Sequence, residues 1–394
     1  MPNYSIPTSA YLHIPFCRRR CYYCDFPISV VGDRPWTHAS TMVEDYVEAL
    51  CREIELTIKP QQPLQTVFFG GGTPSLLPVK QLTKILNALS KQLGIATDAE
   101  ISMEIDPGTF NREQILGYLD AGINRMSLGI QTFDDELLKI CGRAHFVTDI
   151  MQAIDLIKQV RVPNFSLDLI SGLPHQSLEQ CRTSLARAIA IFPHHLSCYD
   201  LVLEPVTAFG KQYQPGKKPL PSDETAADMY RLTQQMLTDA GYQHYEVSNY
   251  AQVGYQCRHN RVYWENKPYY GFGMGAASYI DGKRFTRPRS RKEYYAWLNE
   301  GAIINEPEIS PTDWLLETLM LGLRLAEGID LSQFDKPTLD KIWTCLQPYH
   351  RQGWVEIIDK NQTKPKLRLS DPEGFLFSNT ILSTLFEKLE TANY

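Results

Sequence analysis

Short β-rich runs alternate with helical stretches through the first two hundred residues, and this alternation restricts the possible folds more than any other feature. The strand candidates are AYLHIPF from Ala10, TVFFGGG from Thr66, EISMEID from Glu100, RMSLGIQ from Arg125, FSLDLISGLP from Phe165 and HLSCYDL from His195. Between them the pattern predicts helices over 43–57, 79–92, 112–121, 134–140, 150–159 and 178–191, with Gly94 and Gly122 placed as helix stops. Repeated strand–helix units of this spacing make parallel strands joined by right-handed crossovers. Six units predict an α/β fold, a partial (β/α)6 barrel; an open doubly wound sheet is the alternative.

The polar residues of these strands gather at or just beyond their C-terminal ends: Cys17 after the first, Gly70 to Thr73 closing the second, Glu104, Gln131, and Asp168 within the fifth. In β/α barrels that end carries the chemistry, because the βα loops converge there. Beyond Leu203 the chain turns Pro/Gly-rich, then predicts a helix over 223–240 and a strand YQHYEVSNYA. From about Glu306, TDWLLETLMLGLRL has apolar residues at helical spacing. The expected organisation is a barrel over 1–240, an extension over 241–305 and a small, mainly helical C-terminal domain over 306–394.

Charge and cysteine usage narrow the function classes. A formal net charge of -6 argues against nucleic acid as the main partner. No apolar run is long enough for a membrane span, and the opening MPNYSIPTSAYLHIPF lacks a secretory signal pattern. A cytoplasmic chain with reduced thiols is the expectation. Six of the nine cysteines (Cys51, Cys141, Cys181, Cys198, Cys257 and Cys345) are scattered, as small buried residues are.

The other three are not scattered. CRRRCYYCDF places Cys17, Cys21 and Cys24 within eight residues, with no fourth cysteine nearby. Structural zinc needs a fourth ligand, for which only His13 or Asp25 is close in sequence. A [4Fe–4S] cluster on three thiolates leaves one iron open, and Arg18, Arg19 and Arg20 would offset its negative charge. Unrelated thiols are the third reading.

The spacing Cys-x3-Cys-x2-Cys, with an aromatic residue before the third cysteine, resembles the radical S-adenosylmethionine (radical SAM) superfamily. The resemblance implies SAM at the open iron and an electron donor that reduces the cluster, so that SAM is cleaved to methionine and a 5′-deoxyadenosyl radical. GGGTPSLL from Gly70, SLGIQTF from Ser127, GRAH from Gly142 and DLISGLPHQ from Asp168 resemble one branch, which holds oxygen-independent coproporphyrinogen oxidase (HemN) and the HemW haem chaperones. The likeness runs from Tyr11 to about Arg324. It implies that Tyr11 and Tyr23 flank the cluster and SAM, that Gly71, Gly72 and Thr73 line SAM, and that Glu104 holds its polar groups. Gln131, Arg143 and Asp168 match positions that contact a second SAM in the oxidase.

Two departures separate the chain from the oxidase: Phe26 stands where the oxidase motif has a further cysteine, and Cys17 comes early in the chain. Both resemble the haem chaperones, as does CRHNRVYW from Cys257, whose His-Asn-x-x-Tyr-Trp pattern is associated there with haem. The resemblance implies haem against His259, Asn260, Tyr263 and Trp264, with Cys257 a second candidate ligand. The bland reading of the same stretch is a capped loop with its aromatics in the core. The basic run from Lys283 to Lys292 reads as a solvated face. The expected function is a haem chaperone that passes haem to an acceptor protein, by transient docking if that acceptor is membrane-bound. The alternatives are oxidative decarboxylation of coproporphyrinogen, or radical chemistry on an unrelated small substrate.

Overall fold

The computed structural model describes residues 6–33, 40–359 and 364–390. The first residues of the opening stretch, read above as no secretory signal, lie outside them. Six parallel strands form the centre: β1 (Ser9–Ile14), β2 (Leu64–Gly71), β3 (Ile95–Ile105), β4 (Arg125–Gln131), β5 (Phe165–Ser171) and β6 (His195–Asp200). They are ordered as they occur in the chain, each followed by at least one helix. The strand order does not close on itself, so this is a partial barrel.

Local sequence explains the helices between them. Asn111 and Ser177 open theirs with reciprocal capping boxes to Gln114 and Gln180. Gly94 and Gly122 end theirs at φ 74° and 111°, where a side chain is strained. Leu12, Val67, Met103, Met126, Leu167 and Leu196 on successive strands are buried in one core with the helices' apolar faces.

The stretch 241–305 is woven into this sheet. YQHYEVSNYA is two short antiparallel strands, Gln243–Glu246 and Asn249–Ala251, the latter paired with β6; Tyr270–Phe272 pairs in parallel with β1 at the opposite edge. Tyr250, Phe272 and Tyr294 join the main core. The C-terminal region has its own core, with helices Pro311–Gly322, Lys336–Arg351 and Ser378–Glu390. It also contains a three-stranded antiparallel sheet of Ile329–Asp330, Val355–Ile358 and Lys366–Leu369 that the helical reading did not foresee. Those strands are too short to show a two-residue period clearly. Among the described residues no helix is long and apolar enough to cross a membrane.

Candidate metal and cofactor site

After β1 the chain forms a loop whose ends are tied by parallel pairing of Phe16 and Cys17 with Ser29 and Val30. Within it Cys17, Cys21 and Cys24 are half-buried free thiols. The Cys24 N–H donates to the Cys21 carbonyl at 3.2 Å, and Arg20 donates to the carbonyls of Cys24 and Phe26 at 3.3 and 3.2 Å. The Thr73 hydroxyl points at Cys17 Sγ (3.6 Å) and Arg143 Nη1 at Cys21 Sγ (3.4 Å).

Among the described residues no three His, Cys, Asp or Glu side chains converge tightly enough to hold a single ion. His13, the nearby candidate for a fourth zinc ligand, is already engaged: Nε2 donates to the Pro27 carbonyl (2.8 Å) and Nδ1 accepts from the Tyr11 hydroxyl (3.1 Å). Burial pushes its pKa down to about 4. Three spread thiols with hydroxyl and guanidinium donors aimed at their sulfurs fit a multinuclear cluster better than one zinc.

The thiols open onto a cavity of 470 Å³ lined by the ends of all the strands after β1. Gly71 ends β2, and Gly72 and Thr73 follow it; Glu104 comes from β3 and Asp106 just after it; Ser127, Gly129 and Gln131 from β4; Asp168 from β5; and Tyr199 to Val202 from β6 and its loop. Gly71 has φ 108°, and a Cβ there would lie 2.4 Å from the His13 ring, so a glycine is required. Its N–H donates to Glu104 Oε2 at 3.1 Å. Gln131 is held at φ 64°, uncommon for a residue with a side chain. Asp168 accepts from the Ser127 hydroxyl at 2.9 Å. Burial, with the Asp168 charge second, pushes the Glu104 carboxyl up to about 8. Burial raises Asp168 too, against the lowering effect of hydrogen bonds from Ser197 and Ser127. Two half-buried carboxyls, Glu104 bonded to the Gly71 amide and Asp168 to serine hydroxyls, suit a ligand with an amino group or hydroxyls.

Two expected residues lie differently. Tyr11 lines a second, deeper cavity of 180 Å³ behind Gly71 and Glu104. Arg143 is already committed: it pairs with Asp106, donates to the Gly129 carbonyl at 2.9 Å, and reaches Tyr23 Oη at 3.3 Å beside its contact with Cys21. Its Nε has no hydrogen-bond partner, and the side chain lines the large cavity. Asp106 was missed, although strand alternation in MEID puts it on the same face as Glu104. Ser127, in register two residues before Gly129, was legible in the same way.

The largest correction concerns CRHNRVYW. It is a short helix, Arg258–Trp264, not a loop, and it closes the N-terminal end of the barrel. The N–H groups of Arg258 and His259 donate to Glu100 at 3.1 Å each, so a carboxylate from β3 caps the helix. His259 is fully buried, with Nδ1 bonded to Thr66 Oγ1 (2.8 Å), Nε2 to Tyr263 Oη (2.8 Å), and its ring stacked on Phe68. Burial, then the Arg125 charge, holds its pKa down to about 3. Cys257 is also buried, its thiol directed at Glu100. Asn260 and Tyr263 face the deeper cavity, and Trp264 lies under the Arg324 guanidinium. Neither His259 nor Cys257 presents an open ligand atom. The core packing of these aromatics decided their placement, and periodicity over so short a stretch could not reveal it. The basic run is only partly a solvated face: Arg289 and Lys292 are exposed, but Arg287 is buried against Glu53 (2.7 Å), and Arg284 pairs with Glu317 (2.8 Å) and covers Tyr279.

Comparison with known proteins adds lineage to this geometry. The radical SAM superfamily profile matches residues 11–188, and the HemN C-terminal domain profile matches residues 309–363. The chain is 52% identical to the haem chaperone HemW of Synechocystis sp., covering 98% of each. It is 37% identical to the haem chaperone HemW of Escherichia coli, over 83% of this chain and 85% of that one. Coproporphyrinogen III oxidase (HemN) from Escherichia coli superposes with a TM-score of 0.81 at 23% identity, covering 96% of this chain and 90% of that one, which establishes a common fold. By its 52% identity to one of these chaperones along nearly its whole length, the chain belongs to the HemW family of the radical SAM superfamily.

Proposed function

We propose that this protein is a cytoplasmic haem chaperone, binding haem and passing it to an acceptor protein. The observation that carries the reading is the 52% identity to a haem chaperone over 98% of both chains. Phe26 in place of the oxidase's further cysteine supports it over coproporphyrinogen decarboxylation. Nine free cysteines suit a reducing compartment.

Cys17, Cys21 and Cys24 would hold a [4Fe–4S] cluster, which when bound supplies an electron and one open iron for SAM. Arg143 and Thr73 direct donors at two of the sulfurs and so favour the thiolate form. Gly71 and Gly72 let the backbone approach SAM; Glu104 and Asp168 offer acceptors to its amino and hydroxyl groups, with Gln131 and Tyr23 at the wall. Proton loss from Glu104 gives a cationic amino group its counter-charge.

The test is an anaerobic titration of the cluster-reconstituted protein with haem, followed by mixing with an apo haem protein. A saturable Soret band that moves to the acceptor is the expected result. No specific binding, together with turnover of coproporphyrinogen, would transfer the protein to the oxidase reading.

A further inference from the structure

This inference rests on the reading of Asp168 and Glu104 as acceptors for SAM, and it names the group that supports them from below. Asp168 is built to be a carboxylate. The Ser127 hydroxyl donates to both of its oxygens, at 2.9 and 3.0 Å, and the Ser166 hydroxyl lies 3.4 Å from Oδ1. Among the described residues no cationic side chain closes an ion pair with it. A half-buried carboxylate next to a second carboxyl, Glu104, needs a counter-charge from somewhere.

Arg125 stands two residues before Ser127 on β4, hence on the same inward face and nearer the floor helix Arg258–Trp264. It is 2% exposed, and among the described residues its Nε has no hydrogen-bond partner. Its side chain lines the 180 Å³ cavity together with Ser127, Glu104 and Asp168. A guanidinium buried without a direct partner is costly, and one that borders a polar cavity meets its partners through water. Burial raises both carboxyls, and the Arg125 charge acts the other way on each.

The other titratable groups around this cavity do not supply that charge. Burial, then the Arg125 charge, lowers the pKa of both nearby imidazoles, His195 and His259, the latter to about 3. Burial raises the Tyr11, Tyr199, Tyr245 and Tyr263 phenols and pushes the Cys257 thiol up to about 12, so all five are neutral. Glu100 is spent on the N–H groups of Arg258 and His259, and Arg143, at the mouth, is paired with Asp106.

We propose that Arg125 is a positioning residue for the SAM site: across the deeper cavity, and through water within it, its guanidinium supplies the positive charge against which Asp168 serves SAM as an acceptor.

The test is calorimetric titration with SAM of the cluster-reconstituted wild type, Arg125→Met, Arg125→Lys, Asp168→Asn and the Arg125→Met/Asp168→Asn double variant, between about pH 6 and pH 8. Iron and sulfide content and thermal melting are measured on each. Arg125→Met is expected to bind SAM about 10-fold or more weakly at the acid end, and to regain part of the loss as rising pH ionises Asp168 unaided. Arg125→Lys keeps the charge and is expected to bind nearly as wild type does. With asparagine at 168 no charge is left to support, so the methionine substitution should cost little more. Wild-type affinity in Arg125→Met, an equal loss in both backgrounds, or lost affinity in a folded, cluster-loaded Arg125→Lys would overturn the proposal. Should Arg125→Met not fold, the lysine variant decides by the same criterion. Absence of saturable SAM binding by wild type, or undiminished binding by Asp168→Asn, would instead reject the reading of the site on which the proposal rests.

Discussion

Glu104→Gln separates a buried carboxyl's cost to the fold from its service to a ligand. In the unfolded chain Glu104 titrates near 4.5; in the folded protein burial and Asp168 push it up to about 8. Between those values the folded state keeps a proton that the unfolded chain has released, so raising the pH favours unfolding. At about 1.36 kcal/mol per pKa unit, the loss between about pH 5 and pH 8 amounts to at most ~3.5 kcal/mol. Coupled titration with Asp168 lowers that ceiling. Glutamine is neutral at every pH and still accepts from the Gly71 N–H, so the variant escapes this loss. Denaturant unfolding of the cofactor-free protein and of Glu104→Gln should converge near pH 5, with the variant the more stable near pH 8 by roughly 1–3 kcal/mol. Its SAM affinity, measured calorimetrically after cluster reconstitution, should fall. A stability difference that stays flat across this range would refute the burial argument, and undiminished SAM affinity would remove Glu104 from the ligand site.

Further outcomes follow from single contacts. Gly71→Ala sets a Cβ against the His13 ring at a left-handed φ and should destabilise by about 2–4 kcal/mol in denaturant unfolding; a cost under ~1 kcal/mol would mean the turn relaxes. Arg143→Ala removes a cationic donor from Cys21 and leaves Asp106 unpaired. An EPR-monitored redox titration should find the cluster harder to reduce, with Arg143→Lys intermediate, and an unchanged potential would show that the contact does not tune it. His259→Ala opens a buried space and strands Thr66 and Tyr263, at a cost of about 3 kcal/mol. Unaltered thermal stability would contradict the floor role.

What the linear order of residues determined is the barrel and one side of its site. Six apolar runs separated by helical periods can bury their faces only as parallel strands with crossovers, and the polar residues at their ends then share one mouth. Three cysteines in eight residues with no fourth nearby limited the metal chemistry in the same local way. The tertiary structure decided everything that depends on which distant atoms meet. Arg143 meets Asp106, Gly129 and Cys21 only because the fold brings them to it from three other segments. His259 looked like an available ligand until Thr66, from nearly two hundred residues earlier, took one nitrogen and Tyr263 the other. A histidine's chemistry depends on whether its lone pair is spent, and spacing along the chain carries no record of that.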